Sequence, residues 1–544
     1  MTNPIVNVAV SIQVAPAPST VQKTGAFISQ GATITSPGTK SLLTQLSDLT
    51  PLLTAPAALS SLAYSTGVVT ATSAAPLGYT IGDTINLTIA GAAPSGYNGS
   101  FLCTITGAST FTYPLGTNPG TETTPGTFVP GEVTSIVARA TTFFAQGAAQ
   151  SVYVLELEAG NANDGVTFLT AWIAANPGVF YSYLVPRFWD GNASFLTMLG
   201  NFNATNSKTY FFVTTTLQNY GLYTNLMKCC LPLIEAPKYG VWPANVLTAL
   251  SQTSGAATGT TTTNHGVLPG QYFQLAGNTP SGWNGWFLAL PGTATNSLVF
   301  AVPSTLGAES ALGTLVQSQV ASAGIGATEF SLAAAFQVTL NYKPSSTNKV
   351  TQLNQAFLVG VTPFPIQGNA ALLATLSNAN ISVVGTGAQG GISNTLMQGG
   401  NTKDGNPFKY WYSVDWAQIN LAQAVTAAII NGANNPQNPV DYNQFGINVL
   451  QQAAVSTMSS GIGDGLVLNP IKATTLSAAD LQTALDLGTY ETNTLVNADP
   501  FGSYVLENPL DYGTGTYNGI SVDYTPLRGF QSVTILVTVS NFAL

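Results

Sequence analysis

Charge is what this sequence has least of. Asp, Glu, Lys and Arg make up 6% of its 544 residues, where soluble domains carry about a quarter. With apolar residues at 45%, the chain can build cores and has too little charge to stay unfolded by repulsion, which excludes disorder. A monomer showing all of its surface to water would need more charge, so the composition points to a folded protein that hides much of its surface in an assembly. The 13 basic and 22 acidic residues form no basic stripe able to neutralise a phosphate backbone, and no direct nucleic-acid partner is expected. Between Lys238 and Glu309 there is no charged residue, yet Gly, Thr, Asn, Ser and Pro break every apolar run well short of the ~18 residues that a membrane helix needs. Membrane insertion is therefore not expected either. A secretory signal is also lacking, since Met1-Thr2-Asn3-Pro4 opens no basic segment followed by an apolar one; synthesis in a cytoplasm is the expectation.

Catalytic groups are equally scarce. The single histidine, His265, sits in Thr263-Asn264-His265-Gly266 with no serine elbow beside it, so it reads as a turn-forming or solvent-facing residue rather than a general base. Cys103 stands alone and Cys229 and Cys230 are neighbours, which supplies neither a zinc or haem ligand set nor a disulfide framework. No cofactor and no metal is expected. Glu156 and Glu158 are two apart on a strand and share a face, an arrangement that a glycosidase or a Mg²⁺ site can use. The structural reading of that pair is a strand tip emerging into solvent before Gly160, where like charges cost little when hydrated. Gly461-Ile462-Gly463-Asp464-Gly465 has no lysine and reads as a helix-ending turn rather than a phosphate loop. The expectation is that the protein is not an enzyme.

What is present is a repeat. Pro94-Ser95-Gly96-Tyr97-Asn98-Gly99-Ser100-Phe101-Leu102 returns as Pro280-Ser281-Gly282-Trp283-Asn284-Gly285-Trp286-Phe287-Leu288, each time between short β-type runs with Asn-Gly turns. Two small all-β modules are expected, at 57–133 and 246–321. The rest has a different texture. Ser151 to Leu157 is a buried-type strand, Asp164 to Ala175 a helix pattern stopped by Asn176-Pro177-Gly178, and Tyr181 to Val185 the next strand, which predicts a sheet with helices packed on it. Further helices are predicted at about 415–430, with Trp416, Ile419, Ala422, Val425 and Ile429 on one core-facing side, at about 442–459, and from Ser477, whose hydroxyl can cap it. The ends of the chain alternate cleanly. Val6, Val8, Val10, Ile12 and Val14 share one face, as do Val533, Ile535, Val537 and Val539, and strands of this kind can pair at home or add to a neighbour's sheet.

The C-terminal third carries a family resemblance. Ser413-Val414-Asp415-Trp416-Ala417-Gln418-Ile419-Asn420-Leu421, Asp441-Tyr442-Asn443-Gln444-Phe445-Gly446-Ile447-Asn448 and Gly519-Ile520-Ser521-Val522-Asp523-Tyr524-Thr525-Pro526-Leu527-Arg528-Gly529-Phe530, followed by a terminal strand, resemble tail sheath proteins of contractile-tailed bacteriophages, and Ser151 to Asp190 is similar to the sheath α/β region. The resemblance covers roughly 1–56, 134–245 and 322–544, and the two repeated modules depart from it. It implies a structural virion protein, made in a host cytoplasm, that polymerises into a helical stack of rings of about six subunits around a tail tube protein, between baseplate and tail terminator proteins, and contracts on infection. In that view the strands of Val6 to Val14 and Val533 to Val539 are inter-subunit contacts. The expected fold class is α+β or α/β and multidomain: an N-terminal arm at 1–20, a mixed sheet core with packing helices at 21–56, 134–245 and 322–520, the two modules inserted in it, and a C-terminal arm at 521–544. The alternative is a tail or surface adhesin whose Tyr97, Trp283 and Trp286 stack on glycans; the competing reading of those rings is a hydrophobic plug inside each module. A glycosidase built on Glu156 and Glu158 comes third.

Overall fold

The computed structural model describes residues 22–115, 118–147, 151–157, 160–205, 207–216, 219–234, 239–253, 255–262, 265, 267, 272–294, 296–302, 306–319, 330–340, 344–361, 363, 370–386, 394–488 and 494–529. The two expected terminal strands, Val6 to Val14 and Val533 to Val539, lie outside them. The protein is a mixed α+β structure with several sheets, divided into two compact units: Gly25–Asn341 with Leu353–Phe408, and Met1–Thr24 with Tyr342–Gln352 and Lys409–Leu544.

The larger unit is organised by an eight-stranded sheet in the order Lys40–Leu43, Val152–Leu157, Gly25–Gln30, Ser182–Leu184, Tyr210–Thr215, Cys230–Ile234, Ser382–Thr386, Thr395–Gln398. The outermost strand at each end is antiparallel and those between are parallel. Gly25–Gln30 and Tyr210–Thr215 are buried along their whole length, as parallel strands covered on both faces must be. Ala26 and Ile28 share a core with Leu155, Val166, Leu169 and Phe195, under the helices Ala162–Ala175 and Ala193–Ala204. Phe27 points the other way, onto Phe143 and Phe336 of the helices Gly131–Phe144 and Ser331–Thr339. The strand, helix, strand passage predicted around 151–185 is Val152–Leu157, Ala162–Ala175 and Ser182–Leu184. Its two strands do not pair, because Gly25–Gln30 lies between them.

Within the same unit, Ala57–Ser65, Val68–Ser73, Thr110–Pro114, Gly99–Gly107, Thr84–Ala90 and Thr127–Pro130 follow one another round a closed barrel. The strands Tyr239–Thr253, Ala256–Thr261, Ser297–Ala301, Gly285–Leu288, Tyr272–Ala276 and Thr314–Gln319 repeat that cyclic order, but the sheet is open between Ser297–Ala301 and Gly285–Leu288. In the barrel that seam is a hairpin pairing Thr104 with Thr112 and Ile105 with Phe111. Counting on from the repeated string, Pro291 stands where the barrel has Ile105. A proline cannot donate to a ladder, and the strand stops after 4 residues, where its counterpart Gly99–Gly107 runs for 9.

The repeated string itself folds alike in both. Ser95–Tyr97 and Ser281–Trp283 are single 3-10 turns. Asn98 exchanges bonds with the backbone of Ala92 at 2.8 and 2.9 Å, and Asn284 does so with Asn278 at 2.8 Å in both directions. Opposite these turns a glycine presses on a carbonyl: a Cβ on Gly126 would lie 2.4 Å from the Ala90 oxygen, and one on Gly313 2.0 Å from that of Ala276.

In the smaller unit, the helix predicted at 415–430 runs from Phe408 to Ala433. Tyr412, Trp416 and Ala417 are buried, and Gly461 lets the Trp416 ring close in, a Cβ there being 2.7 Å from it. The predicted core-facing stripe stops at that point: Ala422 is exposed and Ile429 is 48% exposed. Periodicity marks a face as apolar, but the packing of the rest of the chain decides whether that face is covered. Gln444–Gly463 is capped by Asn443, which accepts from the Gly446 N–H at 3.0 Å. It packs on the sheet Ile471–Thr474, Thr494–Ala498, Ile520–Tyr524 through Gln451, which donates to the carbonyls of Thr474 and Val496 at 2.7 and 3.1 Å. The helix ends in the predicted turn, with Gly465 at φ 75°, and Ser477 caps Ala478–Asp486 as predicted.

Candidate functional site

Glu156 corrects the expectation of a hydrated strand tip. It is 2% exposed and accepts from Ser29 Oγ and the Gly31 N–H at 2.6 Å each, and from the Thr33 N–H and Oγ1 at 3.0 and 2.6 Å. Burial pushes its carboxyl up while these donors oppose the shift. A carboxylate so fully occupied pins the corner after Gly25–Gln30 and has no open side for a substrate proton. Glu158 lies outside the described residues. Asp190, which no motif in the sequence marks, does the same work beside Tyr210–Thr215, accepting from Tyr223 Oη at 2.8 Å, the Thr216 N–H at 3.1 Å and Asn219 Nδ2 at 3.1 Å. The donors in both cases come from residues 26 to 127 positions away, so no local pattern announces them.

His265 is likewise corrected. It bridges a turn, accepting from the Val267 N–H through Nδ1 at 3.1 Å, but it is buried rather than solvent-facing, and that burial pushes its pKa down. Cys103, Cys229 and Cys230 are free and buried, and burial pushes the thiols of Cys103 and Cys229 up to about 12, which leaves them unreactive. Beside Glu156, Gln30, Tyr79, Asn86, Glu132, Gly160 and Arg187 line a cleft next to a buried pair of Glu132 with Arg139, whose guanidinium also donates to the Ile28 carbonyl. Among the described residues, no three His, Cys, Asp or Glu side chains group as metal ligands, and no helix is long and apolar enough to cross a membrane.

Two of the aromatic candidates fill module interiors. Tyr97 and Trp283 are each 1% exposed. Tyr97 Oη donates to the Gly120 carbonyl at 2.8 Å, and Trp283 Nε1 to that of Gly307 at 3.1 Å. A ring so enclosed has no face to offer a sugar. Trp286 pairs with Gln274 in the sheet; its side chain lies outside the described residues.

What the described chain does leave open is apolar surface in the smaller unit. Leu506 and Leu510 are 84% and 83% exposed, on the short helices Phe501–Glu507 and Pro509–Thr514, and Phe445 and Tyr512 are exposed with them. From Trp416 onward the half-bare helix ending at Ala433, and the chain beyond it as far as Val440, has not one charged residue. That absence was a signal readable in the sequence; the exposure was not. Near both limits of the described chain, contacts fall on the start of the helix Phe408–Ala433: Gln22 Nε2 donates to the Tyr412 carbonyl at 3.0 Å, and the Arg528 guanidinium sits 4.6 Å over the Tyr410 ring. No family model matches the chain, and no curated protein matches it. Among solved structures, a sheath tail protein from Desulfitobacterium hafniense is similar at a TM-score of 0.35 and 11% identity, over 86% of this chain and 91% of that one.

Proposed function

We propose that this chain is a structural subunit of a contractile, phage-type tail sheath, without catalytic activity, that polymerises around a tail tube in the virion and is linked to its neighbours by exchanged terminal strands. The observation that carries the reading is the uncharged, uncovered surface of the smaller unit. The three stretches that resemble tail sheath proteins, 413–421, 441–448 and 519–530, all belong to this unit. A helix that stands half-bare beyond Ala417, within a stretch from Trp416 to Val440 that has no charged residue, suits a surface that is covered in an assembly, since monomer surfaces are normally studded with charge. Strands that alternate as Val6 to Val14 and Val533 to Val539 do suit addition to a neighbour's sheet, and Gln22 and Arg528, near the limits of the described chain, both contact the start of the helix Phe408–Ala433. A tube protein, a baseplate and a terminator are the partners this reading requires.

Electron microscopy of the purified protein tests it. Tubes or stacked rings are expected from the full chain, and a soluble, folded protein without tubes from chains lacking residues 1–14 or 531–544. Val8→Pro and Val537→Pro, which each remove one backbone donor, should act in the same direction. A full chain that remains monomeric at every concentration and salt would overturn the assignment.

A further inference from the structure

The smaller unit has two chemically opposite ends. Its helices Phe408–Ala433 and Gln444–Gly463 run past each other, with Trp416 near the start of the first against Gly461 near the end of the second. At that end cations gather. Lys349 packs at Gly465, the Val350 N–H donates to the Asp464 carbonyl at 3.0 Å, and the half-buried Lys409 has its pKa pushed down by burial first and by the like charge of nearby Lys349 second. Lys23 is close enough to Asp464 to act on its carboxyl, and Arg528 lies over Tyr410. The carboxylates there, Asp415 and Asp464, are buried and half-buried, whereas Lys349 and Arg528 are exposed.

The other end, at the start of Gln444–Gly463, is apolar and acidic. Tyr442 meets Phe501, Tyr512 and Tyr517 at ring distances of 5.3 to 6.0 Å, and the Phe501 N–H donates to Gln444 Oε1 at 2.8 Å. Around this cluster Phe445, Leu506, Leu510 and Tyr512 are exposed. Asp441 and Glu507 are exposed beside them, and Asp511 accepts from Tyr504 Oη at 2.6 Å. No Lys or Arg occurs in the sequence between Lys409 and Lys472 or between Lys472 and Arg528. A helix of 20 residues separates the two ends by about 30 Å.

We infer that the apolar, acidic end of one copy, around Leu506, Leu510 and Glu507, docks head-to-tail on the basic end of a second copy, around Lys349 and Arg528. Two different patches that complement each other make a heterologous contact, which propagates into rings or helical stacks. Opposite charges at the rim steer and orient the encounter, and the leucines supply the desolvated centre. The occupant is a second copy because the same unit carries both halves of the match. In addition, Gln22 and Arg528, near the limits of the described chain, lie at the basic end against Tyr412 and Tyr410, so this docking brings them to the neighbour's surface. The inference deepens the sheath reading and rests on it for the form of the final assembly.

The test is a charge-reversal pair on the full chain. A variant with Lys349→Glu and Arg528→Glu has two acidic ends, and one with Asp441→Lys and Glu507→Lys has two basic ends. Sedimentation should show each alone as monomer at concentrations where the unaltered protein associates, with circular dichroism confirming that each is folded. Mixed in equal amounts, the two should associate again, alternating along the chain of copies, and added salt should weaken that association. Leu510→Asp should weaken it at every salt concentration. Variants that each assemble alone like the unaltered protein, or a mixture that remains monomeric, would overturn the inference. Tubes formed regardless of these charges keep the sheath reading and sink the docking mode. Head-to-tail oligomers that never become tubes keep the docking mode and sink the sheath reading.

Discussion

Two β modules in this protein share a string that differs only at Tyr97/Trp283 and Ser100/Trp286, yet one closes and the other stays open along a seam. The turn, the asparagine that clasps the backbone six residues back, the buried ring above it and the glycine facing a carbonyl are common to both. The difference lies just past the string. Where the barrel runs on through Thr104 and Ile105 into a hairpin, the second module has Leu290-Pro291-Gly292, and past the strand its links across the seam are the Leu290 N–H to the Val299 carbonyl at 2.7 Å and an isolated bridge of Ala294 with Ser297. A plug and a turn are local devices; closure depends on how far one strand keeps its ladder donors.

The buried rings should matter most. Trp283→Ala should cost about 3–5 kcal/mol in the open module, read as lost hydrogen-exchange protection across Tyr239–Thr253 and Thr314–Gln319. Tyr97→Ala should cost the barrel less, since its ring is smaller and every strand of the barrel keeps two neighbours. Equal losses would show that closure adds nothing. Gly126→Ala and Gly313→Ala come next, at about 1–3 kcal/mol each, with Gly126 the worse because its φ of 75° also disfavours a side chain. If both are neutral in thermal unfolding, the close approach of these backbones is no constraint.

Smaller changes sharpen the seam. Pro291→Ile restores a donor and a β-branched side chain, and should stabilise the open module by up to about 1 kcal/mol, with new protection in Ser297–Ala301. Unchanged exchange there would assign the break to the Gly292 turn instead. The weakest effect concerns pH. His265 has its pKa pushed below the ordinary 6.5 by burial, so protonation favours the unfolded chain. Above pH 6.5 this group has no effect on stability; as the pH falls below that value the open module loses stability, until the folded pKa is passed. The barrel contains no histidine and lacks this dependence. His265→Phe should remove it from the open module, and a slope that survives the substitution would mean another group titrates.

The smaller unit shows what pattern alone could reach. The cap at Ser477, the turn at Gly461 to Gly465 and the helix over Tyr442 to Ser459 were legible because caps, turns and 3.6-residue periodicity are interactions between near neighbours. The same periodicity misassigned Ala422 and Ile429, because an apolar face looks the same whether its partner is this chain or another.

Composition and near-neighbour pattern were thus enough for the low charge, the paired turns, the buried-type strands near Val152–Leu157 and Ser182–Leu184 and the helix capped by Ser477, all of which depend on residue counts or on residues a few positions apart. Tertiary packing alone put Gly25–Gln30 between Val152–Leu157 and Ser182–Leu184, held Glu156 on Ser29, Gly31 and Thr33, left the second module open, and stood Leu506 and Leu510 exposed at one end of a unit whose cations collect at the other. Those outcomes depend on which distant segments meet, and the cost of bringing them together is met by the summed burial of the whole core rather than by any local preference.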